Sequence, residues 1–237
     1  MKVTYIKHSS FLVEDEENMF LFDYYEGAMP VLDEHKKLYC LASHVHFDHY
    51  SPSLFALTEH HPDVHYILSD DIPAASVPAR FLSRTSFMGP DRTLTFQASG
   101  PDHAVNIRTL KSNDEGVAFI VTWQDKKLYH AGDLHDWIWE EEGEDYCRQM
   151  EADYLTELAK IRGEHFSAAF LLLDPRQSTQ ARPKGIRLFL EHACSDVIFP
   201  MHVWEDYSVA DAYLQTEEGR SCPGFIKVSQ QNQIFHI

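Results

Sequence analysis

Short apolar runs separated by polar breaks fill the first third of the chain. Residues 3–7, 10–14 and 19–23 are rich in β-branched, aromatic and aliphatic side chains, and read as strands joined in hairpins. The acidic stretch Asp15-Glu16-Glu17-Asn18 supplies the turn between the last two. Residues 38–43 form a compact apolar strand that leads directly into a cluster of histidines. After the cluster, Ser51-Pro52 reads as the N-cap and first residue of a short helix running to about His60. Further strands are expected at 66–68, 104–110, 117–123 and 127–130, with Gln124-Asp125-Lys126 turning the last pair into a hairpin.

The rhythm then changes. Cys147, Met150, Tyr154, Leu155, Leu158 and Ile161 recur at steps of three and four, the mark of an amphipathic helix that covers a sheet. A strand at 168–173, a helix at 186–193, a strand at 197–199, a helix at 209–216 and two terminal strands complete the pattern. Strands first and strand–helix alternation later predict an α+β class, with sheets sandwiched between helices. No linker, repeat or low-complexity tract interrupts the 237 residues, so the expectation is a single domain over 1–237.

Composition narrows the partners. With 44% hydrophobic and 13% aromatic residues the chain has ample material for a core. It carries 20 Lys and Arg against 37 Asp and Glu, a net charge of −17, and no basic cluster offsets this. Affinity for nucleic acid rests on neutralising phosphates, so no nucleic-acid partner is expected. Cys40, Cys147, Cys194 and Cys222 stand far apart with no CxxC, which suits reduced thiols in a cytosol. The start lacks an apolar signal-peptide core, and no apolar run approaches the roughly eighteen residues of a membrane span. A soluble, cytoplasmic protein acting on a small-molecule substrate is expected, with no membrane partner; a homo-oligomer is left open.

The chemistry concentrates in His44-Val45-His46-Phe47-Asp48-His49, where four potential metal ligands fall within six residues after a strand. Imidazole and carboxylate are donors that zinc, iron and manganese all accept. In an extended loop, residues two apart project to one side, so His44 and His46 suit one ion while Asp48 and His49 turn toward a neighbouring position.

This pattern resembles the metallo-β-lactamase superfamily of hydrolases. Three further local matches extend the resemblance over most of the chain. Lys7-His8-Ser9-Ser10-Phe11 is similar to the opening turn of the branch that contains ascorbate-6-phosphate lactonase. His130-Ala131-Gly132-Asp133 closes a strand, as the family's bridging aspartate does, and Phe199-Pro200-Met201-His202 is similar to the segment of its last histidine ligand. The resemblance implies an αββα sandwich of two mixed sheets. It also implies that His44 and His46 hold a first divalent ion, that Asp48, His49 and His202 hold a second, and that Asp133 bridges them. Zinc is the expected metal, with manganese or iron as alternatives, and one or two ions as the count. A water whose pKa such an ion lowers toward 7 is the expected nucleophile, with Asp48 as the catalytic residue that orients it or collects its proton.

Dinuclear members carry one more histidine on the loop before a central strand. Here that loop reads Lys111-Ser112-Asn113-Asp114-Glu115-Gly116, and His60, His61, His65 and His103 fall elsewhere. His60 and His61 read as the exposed end of a helix, and His103 as a loop residue before a strand. The first ion is therefore left with His44, His46 and Asp133, or draws on Ser112, Asp114 or water. Around the ligands, His8, Asp114, His135 and Arg176 are candidate substrate contacts, Arg176 because a guanidinium grips anions bidentately. The function expected is hydrolysis of a small ester, lactone or phosphate-containing metabolite. The alternatives are a phosphodiesterase or ribonuclease of the same fold, and a non-catalytic metal-binding protein with a degenerate site.

Overall fold

The computed structural model describes residues 1–98 and 100–237, with every side chain outside 98–103. Contacts between residues divide it into two compact units, Met1–Gly89 with Ser229–Ile237, and Pro90–Val228.

The first unit is built on a seven-stranded mixed sheet. Strands β1 (Lys2–Lys7), β2 (Ser10–Glu14) and β3 (Asn18–Phe22) run antiparallel, as the hairpin signals predict. From β3 the sheet continues in parallel through β4 (Lys37–Ala42), β5 (Val64–Ser69) and β6 (Thr85–Met88), while the C-terminal strand Gln233–His236 closes the other edge on β1. Every residue of β2 and β3 is buried. Continuous burial of that kind requires cover on both faces of the sheet, which explains why these strands read as apolar runs and not as strict alternation.

The second unit holds a six-stranded mixed sheet in the order β14-β12-β10-β9-β8-β7. Its antiparallel half is β7 (Thr93–Ala98), β8 (Gly100–Lys111), β9 (Val117–Trp123) and β10 (Lys126–His130). A two-residue turn at Gln124-Asp125 joins the last pair, with Gln124 at φ 49°. The parallel half adds β12 (Ala168–Leu172) and β14 (Ile198–Met201) beside β10, and a small separate pair, β11 (His165–Phe166) and β13 (Cys194–Ser195), lies outside this sheet. Two mixed β-sheets with flanking helices give the α+β class that the chain's rhythm predicts.

The helices follow the pattern with shifts at their ends. Helix α1 (Ser53–Leu57) stops earlier than expected, because the Thr58 hydroxyl bonds back to the Leu54 carbonyl at 2.8 Å and meets the Tyr66 hydroxyl at 2.7 Å. Only His60 of the two histidines beyond it is exposed. His61 is buried, with its Nε2 3.2 Å from the Asp33 carbonyl. Helix α2 (Glu144–Ala159) carries the expected stripe in Tyr154 and Leu158, and its Glu157 accepts the Lys111 N–H at 3.1 Å and pairs with Lys160. Helices α3 (Lys184–His192), α4 (Ser208–Gln215) and α5 (Glu217–Ser221) follow. His103 falls inside β8 and not in a loop, and its side chain lies outside the described ones. One of the two expected terminal strands is reduced to a single bridge between Phe225 and Ile198. Among the described residues no helix is long and apolar enough to cross a membrane.

Strand ends in each unit carry the candidate ligands. His8 sits in the turn between β1 and β2, His44 two residues past β4, Asp133 three past β10, and His202 immediately past β14. The core of the first unit must hold the strand ends that carry His8 and His44 in register. Phe20, fully buried and stacked on Tyr39 at 5.2 Å, is a direct probe of it. Phe20→Ala is expected to lower stability by about 3–5 kcal/mol in chemical denaturation; a loss below about 1 kcal/mol would show that the sheet does not depend on this contact.

Candidate metal centre

In the first unit the histidine cluster is organised by an aspartate. Asp23 immediately follows β3 with a left-handed backbone (φ 44°) and is fully buried. Its Oδ1 accepts the Ser43 N–H at 2.7 Å, and its Oδ2 faces both the Ser43 hydroxyl and His49 Nδ1, each at 2.7 Å. A carboxylate only accepts, so His49 carries its proton on Nδ1 and keeps the Nε2 lone pair. The single Ser43 proton goes to Asp23. The Ser43 oxygen, 3.0 Å from His44 Nδ1, is then left to accept, so His44 also carries Nδ1–H and presents Nε2. One buried carboxylate thereby sets the tautomer of two histidines.

The rest of the loop aims the other donors. The N–H groups of His49 and Tyr50 both bond to the His46 carbonyl at 3.0 Å, which turns the chain so that Asp48 and His49 follow His44 and His46. Asp71, just past β5, accepts the Val45 N–H at 3.0 Å and ties the loop to the neighbouring strand. Asp48 is buried, with Oδ2 3.4 Å from His8 Nε2 and 4.0 Å from His49 Nε2. One donor atom from each of His8, Asp48 and His49 lies within 4.8 Å of the others, and His44 and His46 meet the same limit as a pair. His8 is buried and holds a left-handed backbone (φ 56°), with its N–H on the Tyr5 hydroxyl at 2.8 Å.

The second unit repeats the device. His202, buried and left-handed at φ 62°, places Nδ1 2.7 Å from Asp174 Oδ2. That contact again fixes the proton on Nδ1 and leaves Nε2 as the donor, 3.5 Å from Asp133 Oδ1. Burial works to raise the Asp174 carboxyl, but the bonds from His202 and Arg176 outweigh it and hold the group well below the usual carboxylate range. Arg176 grips Asp174 through Nε and Nη2 and through its own backbone N–H. Its guanidinium lies over two indole rings, Trp139 at 5.6 Å and Trp204 at 5.0 Å. Arg176, expected as an anion holder, thus has its charge directed onto the carboxylate that orients His202. Asp133 anchors the following turn, its carbonyl accepting Trp137 Nε1–H at 2.9 Å.

The loop that lacks the extra histidine has a structural use. Asn113 donates to the carbonyls of His135 (2.7 Å) and Met150 (3.0 Å) and accepts the His135 N–H at 3.1 Å. Ser112 is buried and accepts the N–H of Asp114, whose own side chain is exposed. His135 is enclosed in this unit, with Nε2 3.0 Å from Gln177 Oε1 and its ring against Gly185. A Cβ on Gly185 would approach His135 Cε1 to 2.1 Å, so only glycine lets helix α3 pass so close to the ring. Three residues that organise the donors, Asp23, Ser43 and Asp174, were not expected from the sequence as donors' partners. The available signal is a polar residue that ends an apolar strand, as in Phe20-Leu21-Phe22-Asp23 and Leu171-Leu172-Leu173-Asp174.

Burial pushes the His135 imidazole down to about 4, against a smaller opposing effect of its bond to Gln177. The unfolded chain therefore takes up this proton near pH 6.5 while the folded protein does not, and stability falls as pH drops from 6.5 to 4. The loss attributable to this one group is about 3 kcal/mol across that window. In pH-dependent denaturation His135→Gln is expected to flatten the slope between pH 4 and 6.5; an unchanged slope would contradict a neutral, buried ring.

Comparisons with known proteins bear on the fold and the family. No curated protein sequence matches the chain. Among solved structures it is similar in fold to Igni18, a metallo hydrolase of the hyperthermophilic archaeon Ignicoccus hospitalis, at a TM-score of 0.61 and 14% identity over 100% of this chain and 98% of that one. It is also similar to an isothiocyanate hydrolase from Delia radicum gut bacteria, at a TM-score of 0.60 and 13% identity, covering 100% of this chain and 99% of the other. The diiron β-hydroxylase CmlA of Streptomyces venezuelae shares the fold too (TM-score 0.64, 11% identity), with all of this chain covering 54% of that one. The family model for the beta-lactamase superfamily domain matches residues 2–148, from β1 through the histidine cluster and Asp133 into α2, and the chain belongs to that superfamily.

Proposed function

We propose that the protein is a metal-dependent hydrolase of a small ester, lactone or phosphate-containing metabolite. His44 and His46 would hold one divalent ion, and Asp48, His49 and His202 a second, with Asp133 shared between them. His8 is added to the set beside Asp48 and His49. Zinc suits these nitrogen and carboxylate donors, as do manganese and iron, and the absent histidine before β9 favours unequal occupancy of the two positions.

The observation that carries this reading is the tautomer control exerted by buried Asp23 and Asp174, which leaves Nε2 of His44, His49 and His202 as lone-pair donors. One donor spacing in each unit comes close to what an ion needs, while Asp48 and His49 stand wider at 4.0 Å. Two ligands bound at about 2.1 Å to one ion, at tetrahedral or octahedral angles, stand roughly 3.0–3.4 Å apart. His8 and Asp48 are 3.4 Å apart, and Asp133 and His202 are 3.5 Å apart. An ion held there supplies a water of lowered pKa and polarises the bond under attack. Asp48, a buried carboxylate at the end of the histidine turn, would orient that water and receive its proton. Asp23 and Asp174 keep the imidazoles fixed and basic throughout, in the manner of carboxylate–histidine–metal triads.

The finer assignment to the lactonase-containing branch rests on the turn Lys7-His8-Ser9-Ser10-Phe11, whose His8 lies against Asp48. All four cysteines are unpaired, which supports a reducing, cytosolic setting.

The reading is tested by metal analysis of the purified protein together with an esterase, lactonase and phosphodiesterase panel. It predicts at least one tightly held divalent ion per chain and an activity lost on chelation and restored by zinc, manganese or iron. A protein that takes up no divalent metal would overturn it. Asp23→Asn and Asp174→Asn are each expected to weaken metal affinity by about 10–100-fold. Asp48→Ala should abolish turnover while circular dichroism stays unchanged, and a fully active Asp48→Ala would remove its catalytic role.

A further inference from the structure

His202 is walled by aromatic rings. Trp137 and Trp204 meet its imidazole edge-on at 5.8 and 5.6 Å, and Trp139 stacks on Trp137 at 5.6 Å with 15° between planes. Trp137 is buried, but Trp204 is 37% exposed. Among the described residues of the second unit, Trp204 is the only large apolar side chain so presented. A lone ring of this kind is too small for a protein-docking face, which needs a contiguous apolar patch. It is the right size to receive part of a small molecule.

The backbone holds Trp204 out deliberately. His202, Trp204 and Glu205 all have positive φ, at 62°, 48° and 61°. For a bulky residue such a conformation is a true outlier, and its cost persists only where surrounding contacts over-determine it. Here those contacts are the Arg176 guanidinium against the indole and the edge contact with His202. The first unit makes an independent statement of the same kind. Phe47, between His46 and Asp48, is 74% exposed, an aromatic ring set among candidate ligands. The charge nearby argues against an anionic ligand in this place. Arg176 is already engaged with Asp174, and Glu140 to Glu142 and Glu144-Asp145 follow directly on Trp139.

We propose that Trp204 is a specificity residue, and that the substrate carries a flat aromatic group beside the bond to be hydrolysed, which stacks on this indole. The inference rests on the hydrolase reading above and narrows its substrate class to aryl-bearing esters or lactones.

Hydroxamates test it without requiring turnover, because they bind a divalent ion while their side group varies. The zinc-loaded protein is titrated calorimetrically with 2-naphthohydroxamate and with acetohydroxamate. The expected result is a preference for the naphthyl compound of tenfold or more, reduced by about tenfold in Trp204→Ala and kept within about threefold in Trp204→Phe. Trp204→Ala retaining the preference would overturn the inference, as would equal losses in the Ala and Phe variants. Equal affinity of the wild-type protein for the two compounds would overturn it while leaving the metal centre standing. Binding of neither compound would overturn the metal centre and this inference together.

Discussion

A buried carboxylate facing an imidazole is the interaction on which the candidate metal centre depends. Asp23 is fully buried, and a charge in that position is tolerated only when donors surround it. The Ser43 N–H, the Ser43 hydroxyl and His49 Nδ1 supply those donors. Meeting the aspartate's own requirement fixes the proton of His49 directly and that of His44 through the serine. The loop His44 to His49 is thus not a flexible string of candidate ligands. Its ring orientations follow from where β3 and β4 end, since Asp23 and Ser43 are the residues that immediately follow those two strands.

The second unit reaches the same solution with different parts. Asp174 follows the β12 segment, accepts from His202 and is steadied by a guanidinium held over two indole rings. Because Arg176 is half exposed, the strength of the pair comes less from charge than from its two-point geometry and from the rings that restrict it. Backbone strain collects in the same places. His8, Asp23 and His202 all adopt left-handed conformations, at the strand ends that carry the candidate metal centre.

Much of this was legible in the sequence. The hairpins, the apolar strand before the histidines and the helix rich in three- and four-residue steps all follow from side-chain periodicity, and the donors stand out because imidazoles and carboxylates rarely crowd so closely. What stayed hidden depends on contacts between distant positions. Asp23 reads as the polar end of a strand until β3 and β4 pair and bring it to Ser43. Arg176 reads as an anion holder because its sequence does not reveal that Asp174, two residues earlier, takes its charge. His61 reads as exposed because the carbonyl its ring meets, that of Asp33, stands far away in the chain. Strand β7 gives only a weak signal although Thr93-Leu94-Thr95-Phe96 alternates cleanly, because its polar content masks an edge strand.

The tautomers of the histidines are the most direct measure of whether buried carboxylates prepare these donors. Nitrogen-15 correlation spectra of the metal-depleted protein at neutral pH resolve the two ring nitrogens of each imidazole. The expected result is the Nδ1–H form for His44, His49 and His202, with Nε2 unprotonated and shifting when zinc is added. Nε2–H forms at these three positions, or Nε2 signals unmoved by zinc, would contradict the account.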